Sequence, residues 1–256
     1  MRIGKGLVVF VTGGASGLGE ATVRRLHKAG CSVACADVQQ DRMDALTKEL
    51  GSQDLLMIKC NVTKEQEVED AIKKTVEMFG AVHVALTCAG VVWPSQTLTT
   101  QSSLDTKKLE LMYRINVFGS VYVAKHAAIA MSKNKASEHG DKGVILFVSS
   151  IAAEEAARGQ VAYGGTKGAI NGMVMPMARD LGKFGIRVAA IAPGIFKTPL
   201  GAQLPKENLA VLEKMSVFQR AGDPDEFAHF VGSIIENAYI SGVRLRIDGA
   251  TKLANL

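Results

Sequence analysis

Tyr163 and Lys167 stand four residues apart in "AYGGTKGAI", and Ser150 precedes the tyrosine by thirteen. On a helix, that four-residue spacing puts both side chains on one face. A phenol, with a reference pKa of about 10, is a weak base at neutral pH. A neighbouring ammonium favours its ionised form, as does a positively charged ring. So biased, Tyr163 can take the proton of an alcohol while a hydride leaves the carbon; in reverse it protonates an alkoxide. Ser150 closes a strand-like run and can hold the substrate oxygen by a hydrogen bond. Asn116, in "INVFG", falls inside a helical pattern, where an asparagine is unfavourable without a task. Taken alone, Tyr163 and Lys167 also fit an ordinary exposed helix pair, so the surrounding elements must decide.

A second constellation lies near the N-terminus. After an apolar run comes "TGGASGLGEA", with Gly13, Ser16, Gly17, Leu18 and Gly19. A glycine-rich turn between strand and helix lets the backbone approach a diphosphate, and the helix N-terminus offers it free N–H groups. Asp37 ends the second strand-like run, eighteen residues past Gly19. A carboxylate there can accept hydrogen bonds from both adenosine ribose hydroxyls and repels a 2′-phosphate. No arginine or lysine sits in the glycine turn or directly after Asp37. NAD is therefore expected over NADP, the alternative being a solvated strand-end aspartate. In "CNVT", Asn61 is placed to meet the adenine edge and Val62 to pack on the ring; Asn61 or Thr63 as a helix N-cap is the plain alternative. In "TCAG", Cys88, Ala89 and Gly90 have little side-chain bulk, which suits a backbone running against a ribose or a tight turn.

Seven β-rich runs can carry these groups: 7–12, 32–37, 55–60, 82–87, 143–149, 186–192 and 243–247. Most are continuously apolar, as expected of parallel strands covered on both faces. Amphipathic helices are expected over 17–29, 41–50, 64–78, 105–133, 163–182 and 223–236. In 163–182, Ile170, Met173, Val174, Met177 and Leu181 share a face as core, and Pro176 is expected to remove one backbone bond and kink the helix. This alternation predicts one α/β domain over 1–256, a Rossmann-type doubly wound parallel sheet of about seven strands with helices on both faces. Ligands of such sheets bind outside the strands' carboxyl ends. Segments 91–104, 134–142 and 194–222 are expected to be structureless, the last a substrate-side loop region.

The bulk composition excludes several functions. Apolar residues make up 47% and charged residues 21%, which fits a chain with a sizeable core rather than a disordered one. The net charge of +5 is spread without a Lys/Arg run, so nucleic acid is not an expected partner. Cys31, Cys35, Cys60 and Cys88 have no zinc-site spacing, so no metal is expected, and buried reduced thiols imply a reducing compartment. No run is long and apolar enough to span a bilayer, and the start has no secretory layout.

"TGGASGLG", "CAG", "NVFG", "SSIAA", "YGGTK" and "APGIFKTP" occur in this order along nearly the whole chain. In this the chain resembles the short-chain dehydrogenase/reductases. The resemblance implies that Tyr163 and Lys167 are catalytic, that Lys167 also binds the nicotinamide ribose, and that Ser150 orients substrate. It implies that Asn116 helps to hold a proton-relay water. Pro193, Gly194, Phe196 and Thr198, in the segment after the sixth strand, would meet the nicotinamide. Within the family, "KGLVVFVTGGASGLG", "APGIFKTPL" and "IENAYISGVRLRIDGA" resemble the type-2 3-hydroxyacyl-CoA dehydrogenase subgroup. That likeness implies NAD, short 3-hydroxyacyl-CoA substrates, tolerance of steroid alcohols, a homotetramer and a mitochondrial location, with the cytoplasm the alternative.

Two positions depart from the pattern. Asn61 replaces the aspartate usual at the adenine position, its amide oxygen still being expected to accept a hydrogen bond. Thr87 stands where asparagine is usual and is expected to loosen the central strand contacts. Glu154, Glu155 and Arg158 fall on the substrate side, and Gln160 is a candidate substrate contact or a plain loop residue. The alternatives kept open are a hydroxysteroid dehydrogenase, a 3-oxoacyl-carrier-protein reductase and a non-catalytic NAD-binding scaffold.

Overall fold

A computed structural model describes residues 1–203 and 206–252. A seven-stranded, wholly parallel sheet runs in the order β3-β2-β1-β4-β5-β6-β7, with β1 Val8–Thr12, β2 Ser32–Asp37, β3 Leu55–Lys59, β4 Val84–Thr87, β5 Gly143–Val148, β6 Ile186–Pro193 and β7 Val243–Ile247. Strand order reverses between β1 and β4, which opens a crevice above their carboxyl ends. The continuous apolar runs arise because successive side chains point to opposite faces and both faces are covered. Val9, Val11, Val144 and Leu146 pack in one layer with Phe227 and Val231 of α8 (Pro224–Glu236). Phe10, Ile145 and Phe147 pack in the other with Ile72 of α3 (Glu65–Phe79), Val123 of α5 (Gly119–Met131) and Ile170 of α6 (Val161–Gly182). The remaining helices are α1 (Gly17–Lys28), α2 (Gln40–Leu50), α4 (Thr106–Tyr113) and α7 (Lys206–Lys214).

Two expectations are corrected. The single helix over 105–133 is α4 and α5 joined by a π-helical turn, Arg114–Phe118, which contains Asn116. The 194–222 segment is not structureless: it holds a 3₁₀ turn at Gly201–Gln203 and all of α7. α6 runs through Pro176 without interruption, as the expected helix over 163–182 does. β7 is an edge strand that alternates apolar and basic residues, with Val243, Arg244 and Arg246 exposed and Leu245 and Ile247 partly buried. Among the described residues no helix is long and apolar enough to cross a membrane.

Candidate active site

One cleft of about 690 Å³ follows the carboxyl ends of the strands and is lined by residues from all of β1 to β6 or the loops after them. Its centre is the glycine turn. Gly13 adopts φ +63°, and a Cβ on it would come within 2.7 Å of the Ala89 nitrogen. A Cβ on Gly19 would stand 2.2 Å from the Gly13 carbonyl oxygen, so only glycine closes this turn. α1 then starts at Gly17, and the N–H groups of Gly17, Leu18 and Gly19 have no acceptor among the described residues. Three unpaired N–H groups at a positive helix end, facing a cleft, suit an anion such as a diphosphate. The glycine cradle and these donors fit the phosphates of a dinucleotide.

Toward β2, Asp37 is buried. One carboxylate oxygen accepts the Ala15 N–H at 3.1 Å and the other the Gln39 N–H at 3.0 Å. The aspartate thus pins the glycine turn to the end of β2 as well as lining the cleft. Each oxygen keeps a lone pair, which leaves room for ribose hydroxyls. Arg42, on the first turn of α2, also lines the cleft and donates to the Ser16 hydroxyl at 3.3 Å. Sequence reasoning missed it by looking only directly after Asp37, although helical spacing from Gln40 brings it back over the turn.

Asn61 lines the cleft at the end of β3, but its oxygen is committed. Asn61 Oδ1 accepts both the Thr63 N–H at 3.0 Å and the Thr63 hydroxyl at 2.8 Å. The expectation that this oxygen accepts from a ligand is therefore corrected. The helix N-cap is Lys64, so the Asn61 side chain closes a local turn rather than capping α3. Val62 and Ala89 line the cleft, as does Cys88, which is half-buried rather than fully buried as expected. Burial nevertheless pushes the Cys88 thiol up to about 12, so it is not a reactive thiolate.

At the other end, Ser150, Tyr163 and Lys167 line the same cleft with Gln160. Ser150 is the N-cap of a 3₁₀ turn, its Oγ accepting the Ala152 N–H at 3.1 Å. Lys167 is almost fully buried and donates to the Val148 carbonyl at 2.8 Å, with its Nζ 5.6 Å from the centre of the Tyr163 ring. Burial drives its ammonium down to about 8. Burial also raises the Tyr163 phenol, against the pull of a hydrogen bond with Ser150. The triad is therefore brought together at one end of the cleft, where the ionised phenol depends on positive charge held close to it.

Asn116 does not line the cleft but stands behind it. Its Oδ1 accepts the Val91 N–H at 2.9 Å, and its Nδ2 donates to the Val91 carbonyl at 2.9 Å and to Thr166 at 3.1 Å. A Cβ on Gly90 would lie 3.3 Å from Asn116 Oδ1 and 3.8 Å from Lys167 Nζ, so all three groups meet at one point. Pro193, Gly194, Phe196 and Thr198 form the wall after β6. Gln160 lines the opposite wall, where its Oε1 accepts the Ala157 N–H at 3.1 Å. Glu154 and Glu155 do not reach the cleft: they pair with Arg244 at 3.1 Å and Arg246 at 2.7 Å, strapping the loop after β5 to β7. Leu212, in the 194–222 segment expected on the substrate side, and Thr251, in the segment after β7, complete the cavity; Thr251 carried no sequence signal, since only the tertiary fold brings it back over the site.

Comparison with known proteins matches residues 7–209 to the family model for short chain dehydrogenase. The chain is 41% identical to the 3-hydroxyacyl-CoA dehydrogenase type-2 of Homo sapiens, over 97% of this chain and 96% of that one. It is 39% identical to the protein of the same name from Drosophila melanogaster, over 97% and 98%. The solved 3-hydroxyacyl-CoA dehydrogenase type-2 from Mycobacterium avium superimposes with a TM-score of 0.90 at 34% identity, covering 98% of each chain.

Proposed function

The chain belongs to the short-chain dehydrogenase family, and from that membership we propose that it interconverts 3-hydroxyacyl-CoA and 3-oxoacyl-CoA with NAD as hydride carrier. The chain is an oxidoreductase with a nicotinamide cofactor and a small-molecule substrate. The acyl-CoA substrate is supported by the names of relatives that it matches from end to end at about two residues in five. The preference for NAD is supported by Asp37, whose buried carboxylate repels a 2′-phosphate placed on the adenosine ribose. The observation that carries the reading is the convergence of Ser150, Tyr163 and Lys167 at one end of a cleft whose centre is an anion-ready helix N-terminus.

Bound in this cleft, an oxidised nicotinamide supplies the hydride acceptor and a positive ring. The N–H groups of Gly17–Gly19 would hold its phosphates, and Pro193 and Phe196 would line the nicotinamide end. The Ser150 hydroxyl donates to the substrate oxygen and fixes the alcohol beside Tyr163 Oη. Tyr163 takes the alcohol proton as its phenolate, which is stabilised by the Lys167 ammonium held 5.6 Å from the centre of its ring. In the reverse direction the same phenol protonates the alkoxide. Asn116 holds the Val91 backbone and the Thr166 hydroxyl, which fixes the floor under Lys167.

A homotetramer is also proposed. It is supported by the exposed apolar side chains of Leu111, Phe118 and Ile129 on and between α4 and α5 and of Met175 on α6, and sedimentation equilibrium checks it. Mixing the protein with acetoacetyl-CoA and NADH, then NADPH, tests the activity. Fast oxidation of NADH and slow oxidation of NADPH are expected. Turnover of neither while NADH still binds discards the acyl-CoA substrate and directs the search to steroid alcohols. In Tyr163→Phe, which loses only the proton-carrying oxygen, kcat should fall by roughly 10²–10⁴. Intact turnover in that variant would remove Tyr163 from the mechanism.

A further inference from the structure

The strand order fixes where a dinucleotide's purine must lie. With phosphates on the N-terminus of α1 above β1 and the hydride end beside Tyr163 beyond β5, the remaining end of the cleft lies over β2 and β3. Asn61 lines that end, and its capacity for hydrogen bonds is largely used by its own chain. The backbone N–H donates to Glu67 at 2.8 Å, and the backbone carbonyl accepts from the Lys64 N–H at 3.0 Å. The Thr63 N–H can only donate, so the amide must turn its oxygen, not its nitrogen, toward Thr63. The Thr63 hydroxyl donates to the same oxygen and occupies its second lone pair. What Asn61 has left for a ligand is its NH₂ group, a pair of donors with no acceptor among the described residues.

We propose that Asn61 reads the purine as a hydrogen-bond donor, pairing with a ring nitrogen of adenine, and that it does not read the exocyclic 6-amino group. An aspartate at this position would do the opposite, accepting from the amine and repelling the ring nitrogens. The inference rests on the dinucleotide reading of the cleft, and it makes Asn61 a specificity-determining residue of inverted polarity. Thr63 is the positioning residue that enforces it.

The test is calorimetric binding to the full chain of NADH and of the analogue in which purine, with hydrogen in place of the 6-amino group, replaces adenine. The unsubstituted protein should bind the two within about threefold, because the amine makes no contact with Asn61. Asn61→Asp should favour NADH by about tenfold or more, the span expected of one hydrogen bond to a charged acceptor. Thr63→Val removes the hydroxyl, frees one lone pair of Asn61 Oδ1, and should give an intermediate preference. A tenfold preference for NADH in the unsubstituted protein, unchanged in Asn61→Asp, would overturn the inference while leaving the dinucleotide reading intact. Failure of NADH itself to bind overturns both.

Discussion

Lys167 is where the demands of folding and of chemistry oppose each other. An ammonium sealed beneath the cleft is costly, and burial drives its pKa from 10.5 to about 8. The unfolded chain holds this proton more tightly than the folded chain does. Between about pH 8 and 10.5 the unfolded state therefore binds more protons, and stability rises with pH through that window; below pH 8 the whole penalty is present. Lys167→Met removes the penalty and leaves the Val148 carbonyl without its donor. The cofactor-free variant should be more stable than the parent by roughly 2 kcal/mol at pH 7, a rise of about 4–8 °C in thermal midpoint. The gap should close as pH approaches 10, and activity should be lost at every pH. A variant no more stable at pH 7 would mean the ammonium is better solvated than its burial implies. The lysine was legible from spacing alone, because function fixes its type and helical pitch fixes its neighbour. The commitment of Asn61 Oδ1 was not, since it depends on the φ and ψ of the turn that brings Thr63 back, and residue types do not specify those angles.

At the scale of elements, the sheet and its order were legible because continuous apolar runs report burial on both faces. The π-helical turn within 105–133 was not, because one extra residue in a helical turn shifts the pattern too little to see. The π turn is held from outside: Asn116 makes three hydrogen bonds to Val91 and Thr166, on two different elements. Asn116→Ala deletes all three and leaves the Val91 N–H and carbonyl to find other partners. A loss of about 2–3 kcal/mol is expected from urea unfolding at constant slope. Thr87 shows the reverse case. It sits on β4 between Thr12 of β1 and Phe147 of β5, and its buried Oγ1 has no hydrogen-bond partner among the described residues. The expected loosening of the central strands is not seen: the ladder on both sides of Thr87 stays in register. Thr87→Val keeps the shape and removes the unpaired group, so it should stabilise by about 1 kcal/mol. A destabilised Thr87→Val would mean that the hydroxyl has a partner in solution, such as a buried water.

For the whole molecule, the cleft lies where the strand order reverses. β1 and β4 stay paired up to their carboxyl ends, the connections that leave them run to different sides of the sheet, and the walls come from segments far apart in sequence: the glycine turn, the end of β3, the loop after β6 and Leu212 of α7. A ligand lying along it ties these segments together, and it can do so only in the folded state. Mass action then makes binding a measure of the assembled site. At a concentration one hundred times its dissociation constant, NADH should add about 2.7 kcal/mol, or about 5–10 °C in thermal midpoint. NADPH at the same concentration should add much less, because its 2′-phosphate meets the Asp37 carboxylate. That carboxylate cannot swing away, since the Ala15 and Gln39 N–H groups hold its two oxygens. The nearby Arg42 offers a compensating cation, but its guanidinium is exposed and turned to Ser16, where solvent weakens its pull. Asp37→Ala should therefore shrink the difference between the two cofactors from both directions: NADPH gains as repulsion is relieved, and NADH loses the ribose contacts together with a glycine turn no longer pinned through Ala15. Equal shifts from NADH and NADPH in the unsubstituted protein would assign the 2′ position to Arg42 instead, and Arg42→Ala would then be the variant that separates them.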